Sequence, residues 1–111
     1  MDVKFSQTDG VTVVQVEGEI NISTSPELKK HFEKQPSRKI VVNLEKVSYI
    51  DSSGLATLVE ILKKTKSQGG HLGLAGMSDK VKSLFEITKL DKLFLIYPSQ
   101  MDALNTIKVR P

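Results

Sequence analysis

Hydroxyls gather ahead of a helical pattern at two places in this chain, Ser23-Thr24-Ser25 and Ser52-Ser53. The second pair is the better placed for chemistry. It follows the apolar run Ile40-Val41-Val42 and sits in Asp51-Ser52-Ser53-Gly54, directly before the strongest helical pattern in the sequence. A serine at or beside a helix N-cap is exposed. A phosphate placed on it would meet unpaired amides and the positive end of the helix dipole. The same residues have a plainer reading, in which Asp51 or Ser52 is simply the N-cap, since Asp and Ser are favoured there.

Other chemistries find little support. There is no cysteine, so thiol nucleophiles, disulfides and Cys-based zinc sites are excluded, which fits a reducing compartment. The two histidines, His31 and His71, have no close second histidine, and Glu45, Asp51 and Asp79 lack ligand spacing, so no metal or other cofactor is expected. Neither GxxxxGK[ST] nor GxGxxG occurs. Ser52 is not in a nucleophile elbow, because Ile50 stands where the first glycine belongs. Glu17 and Glu19, two apart around Gly18, read as solvated carboxylates. An enzyme is therefore not expected.

The 111 residues, 12.3 kDa, suit one domain spanning 1–111, large enough to bury a core. The net charge of +3 comes from scattered lysines, with Lys29-Lys30 and Lys63-Lys64 the longest basic pairs. No aromatics interleave with them, so a solvated surface is expected rather than a nucleic-acid interface. No apolar run approaches the ~20 residues of a membrane span. The opening MDVKFSQTDG lacks a signal core, and the expected location is cytoplasmic. No large extra apolar patch demands a dimer, so a monomer is expected.

The elements that must position Ser52 follow from periodicity. Val3 to Thr8 and Val11 to Glu17 alternate around Asp9-Gly10, a strong hairpin signal. Val11 and Val13 on one face, with Val14 and Val16 on the other, suggest a second strand covered on both sides. Ser25 as N-cap with Pro26 and Glu27 starts a first helix, with Leu28 and Phe32 inward, and Pro36 closes it. The central strand runs from Lys39 to about Leu44, and a turn leads on to Asp51. Leu55, Leu58, Val59 and Leu62 then mark one face of the second helix, and Lys63, Lys64 and Lys66 precede its end at Gly69-Gly70. A short strand at His71–Ala75 and a helix capped by Ser78, with Val81, Leu84, Phe85 and Thr88 inward, come next. Leu95-Ile96-Tyr97 is the last strand. Ser99 with Asp102 starts a final helix whose inward face is Met101, Leu104 and Ile107. The order is β-β-α-β-α-β-α-β-α: an α/β domain with a mostly parallel sheet, an N-terminal antiparallel hairpin and about four helices.

The segment Val42-Asn43-Leu44 … Val47-Ser48-Tyr49-Ile50-Asp51-Ser52-Ser53-Gly54-Leu55 resembles the signature of the STAS-domain anti-sigma factor antagonist family. The resemblance extends over nearly the whole chain, from the hairpin and Gly18-Glu19-Ile20 to Val81–Phe85 and Leu90–Phe94. It implies a bacterial partner-switching phosphoprotein. Ser52 would be phosphorylated by a serine-kinase anti-sigma factor, the unphosphorylated form would bind that kinase, and a PP2C-type phosphatase would reset the switch. The kinase brings the ATP and Mg²⁺. Asn21, Ser23, Thr24, Asp51, Ser53 and Gly54 would form the partner-binding surface. Within it Asp51 would accept hydrogen bonds near the phosphorylated hydroxyl, and Gly54 would admit the partner backbone. Many phosphorylated members carry aspartate where this chain has Asn21. That departure and the basic charge balance suit a second reading, a STAS docking subunit of a lipid-transporting ABC complex without a phospho-switch.

Overall fold

The computed structural model describes residues 1–111. The first two alternating runs form β1 (Asp2–Thr8) and β2 (Val11–Ile20), joined by Asp9-Gly10. Both turn residues have positive φ, 51° and 78°, and Thr8 faces Val11, as in a two-residue type I′ hairpin. β3 (Lys39–Ile50), β4 (His71–Ala75) and β5 (Leu95–Tyr97) add in parallel, giving the sheet order β1-β2-β3-β4-β5. The mostly parallel sheet with an antiparallel opening is as expected.

Each crossover advances one strand in the same direction. Right-handed connections therefore put α1 (Ser25–Lys34), α2 (Ser52–Ser67) and α3 (Asp79–Ile87) on one face. There Leu28, Phe32, Leu58, Leu62, Val81 and Phe85 pack on Val14, Val16, Val42, Leu44, Leu72 and Leu74 in the main core. α4 (Gln100–Ile107) crosses to the other face, where Ala103 and Ile107 cover Val11, Val41 and Ala75. The central strands are thus apolar on both sides, as buried parallel strands are. Gly73 makes the second layer possible: a Cβ there would lie 2.7 Å from Ile107 Cδ1 and 2.9 Å from Tyr97 Cε2.

Five details differ from the sequence reading. β3 does not stop near Leu44 but continues to Ile50, paired with β2 from Glu17–Lys46 to Ile20–Ile50. Two register shifts break the alternation there and leave Glu45, Lys46, Ser48 and Tyr49 exposed, so the run reads as a turn. The N-cap of α1 is Thr24 rather than Ser25, because the backbone already turns helically at Asn21. The buried stripe of α2 is Leu55, Leu58, Ile61, Leu62 and Thr65, with Val59 only half-buried. In α4, Met101 is 71% exposed and Ala103 takes the inward place, while Thr88 is an exposed C-cap of α3.

Candidate functional site

β3 ends at Ile50, and the next residue ties two segments together. Asp51 has extended backbone (φ −95°, ψ −176°) and caps α2, its Oδ1 accepting from the Gly54 amide at 2.8 Å. Its Oδ2 accepts from the Ile22 amide at 3.0 Å, and its own amide donates to the Ile20 carbonyl at 3.1 Å. One carboxylate thus clamps the helix start to the loop after β2. The first intrahelical bond runs from the Leu55 amide to the Asp51 carbonyl. The Ser52 and Ser53 amides lie ahead of it, without an intrahelical acceptor. Ser52 itself is exposed at the first helical position. The cap is therefore Asp51, and the Ser52 hydroxyl has no capping duty.

The loop beside it is closed by its own side chains. Asn21 Oδ1 accepts from the Ser23 amide at 2.9 Å and the Thr24 amide at 3.1 Å. Thr24 Oγ1 accepts from the Asn21 amide and donates to the Glu19 carbonyl, both at 2.9 Å. The bonds that close the turn need only an acceptor oxygen, so a carbonyl serves as well as a carboxylate, and Asn21 Nδ2 also donates to Glu19 Oε1 at 3.5 Å. Ser25, expected as the cap, instead buries its hydroxyl without a partner.

This fold, with its Asp-Ser-Ser-Gly at the mouth of α2, matches a known family. A model of the STAS domain covers residues 2–103. The chain belongs to the STAS domain family. The anti-sigma-B factor antagonist of Staphylococcus aureus is 38% identical over 96 residues, 84% of this chain and 89% of that protein. The protein of the same name from Listeria monocytogenes is 34% identical over 99 residues, 86% of each chain. Among solved structures, an anti-sigma factor antagonist from Mycobacterium paratuberculosis superimposes with a TM-score of 0.87 at 29% identity, over 96% of this chain and 93% of that one.

In this STAS domain the singled-out residues converge at the C-terminal end of the parallel strands. Asn21, Ser23 and Thr24 lie in one loop, Asp51 to Gly54 in the adjoining helix start. Gly54 has an internal reason to be glycine. It is buried, and a Cβ would stand 2.3 Å from the Ile20 carbonyl oxygen and 2.8 Å from Ile50 Cγ2. The close approach it permits is by its own chain. Two neighbours escaped the sequence reading. Ile22 is 72% exposed although its amide is held by Asp51. Tyr49, exposed at the end of β3, lies beneath the Lys80 ammonium at 5.7 Å. A lone isoleucine among polar loop residues was the available signal for the first; the second was hidden by the misread end of β3.

Proposed function

We propose that this protein is an anti-sigma factor antagonist switched by phosphorylation of Ser52. The observation that carries the proposal is the division of labour at the helix start: Asp51 fills the cap and leaves an exposed serine at the first helical position. The antagonist relatives named above support the reading. The partner is a serine-kinase anti-sigma factor: Ser52 Oγ attacks the γ-phosphorus of its ATP, the bond from that phosphorus to the bridging oxygen breaks to release ADP, and the hydroxyl proton passes to a base on the kinase. Both Asp51 oxygens hold backbone amides, and by fixing the start of α2 Asp51 positions the serine. A PP2C-type phosphatase returns the serine to its free form. The protein acts as a cytoplasmic monomer in which residues 1–111 work as one STAS unit. No helix is long and apolar enough to cross a membrane.

A phosphoryl group brings about −1.5 to −2 charges to a site that already holds Asp51. At a helix N-terminus this charge is favourable, so the fold survives. At a docked interface the added bulk and like charge cost on the order of several kcal/mol, enough to release a partner. The docking-subunit reading leaned on the neutrality of Asn21 and on the basic charge balance; of these, Asn21 is accounted for by the turn it closes.

Titration calorimetry against the serine-kinase anti-sigma factor tests the switch. Wild type and Ser52→Ala should bind alike, and Ser52→Asp at least about tenfold more weakly, a difference of ~1.4 kcal/mol. Equal affinity of all three would remove the proposal.

A further inference from the structure

At the far end of the molecule from Ser52, α1 and α2 separate. Both helices begin at the candidate site, where Asp51 binds their approaches together, but α1 has 10 residues and α2 has 16. At 1.5 Å per residue α2 outruns its neighbour by about 9 Å. The chain leaves α1 through Gln35-Pro36-Ser37 instead of covering the last turns of α2. What remains is a groove of about 310 Å³, at the lower end of the range for small-molecule sites.

Its lining is divided. Phe32, Ile40 and Ile61 form an apolar floor, each nearly buried. Thr65 stands where the α2 stripe would place a larger apolar side chain, and its hydroxyl is turned back onto the Ile61 carbonyl at 2.9 Å. The groove is therefore left unfilled by the protein itself. Two cations and two carboxylates stand on its rim; Glu60 and Glu33 both act on Lys29, so the two cations are not equivalent. Lys29 Nζ is 3.0 Å from Glu60 across the two helices. Lys64 has no carboxylate within ion-pairing distance, and Gln68 lies one turn further on. An apolar body with a single anionic head satisfies both parts. The body would lie on the floor and the stems of the lysines, and the head would meet Lys64.

We infer that the α1–α2 groove is a second binding site, for a small amphiphile carrying one carboxylate or similar anion. It needs no phosphorylation of Ser52 and stands apart from the reading above. Because both walls start at the candidate site, occupancy has a direct mechanical route to Ile22 and to residues 51–54.

The test is an amide ¹H–¹⁵N titration of the full chain with octanoate, and with 1-octanol as the uncharged control. Saturable shifts at Phe32, Ile61 and Thr65, stronger for octanoate than for octanol, are expected. Lys64→Gln, on an exposed position, should weaken octanoate about two- to fivefold and leave octanol unchanged. Absence of saturable shifts at these amides would overturn the site. Equal affinity for the two probes, or an unaffected Lys64→Gln, would overturn the anionic head. Shifts at Ile22 and Ser52 would support the mechanical route, and groove shifts alone would overturn it.

Discussion

Asp51 holds the amide of Ile22, 29 residues before it, together with that of Gly54, and that double duty sets the cost of losing it. Asp51→Ala should destabilise by about 1–2 kcal/mol, the upper part of the range for a lost cap, because the Ile22 amide is orphaned together with the Gly54 amide. Urea unfolding measures this, and a loss below about half a kcal/mol would mean the clamp to Ile22 is not made in solution. Gly54→Ala should cost more than a helical Gly→Ala exchange normally gains, about 1–3 kcal/mol from overpacking. The obstruction is the Ile20 carbonyl, backbone that cannot rotate away. An unchanged midpoint would show that the helix start shifts to accommodate it. The Asp-Ser-Ser-Gly residues were legible in the sequence because capping chemistry is local. Which residue caps was left open between Asp51 and Ser52, and only the three-dimensional partner, Ile22, explains why it is Asp51. The purpose of Gly54 was hidden for the same reason: its obstacle lies on another strand.

The helices were legible to the extent that period decides burial. Leu58 is 1% exposed, and Leu58→Ala should cost ~2–5 kcal/mol as a core cavity. Val59→Ala, half-buried beside the true stripe, should cost clearly less in the same denaturation assay; the reverse order would contradict the assigned face. Ile61 belongs to that stripe and Val59 lies at its edge, a distinction that spacing alone does not draw. β3 was harder for a different reason. Its end is held by ladder hydrogen bonds to β2 while β3 itself carries an extra residue at each register shift, so side-chain alternation carries no signal there. Between α1 and α2, the neighbouring Glu60 raises the pKa of Lys29 above its ordinary 10.5, first through a hydrogen bond and then through charge. A raised cation pKa stabilises the fold below the unfolded value and loses that contribution as pH climbs past the folded one. The stability difference between wild type and Glu60→Gln should therefore be flat through neutral pH and shrink only above about 10.5.

The whole molecule is a sheet whose strands advance in one direction, so all four helices start at the same end as the Ser52 loop. That order was legible because strands and helices alternate, and the hairpin because Asp-Gly admits only a few turns. The packing of α4 on the opposite face was not, since it depends on Gly73 leaving room for Ile107. The central claim is that this arrangement exists to present Ser52 to a kinase. The direct measurement is a phosphate-affinity gel of the protein from its native cells, for wild type, Ser52→Ala and Ser53→Ala. We expect a retarded band that persists in Ser53→Ala and vanishes in Ser52→Ala. A band that vanishes only in Ser53→Ala, or no retarded band under any growth condition, would contradict it.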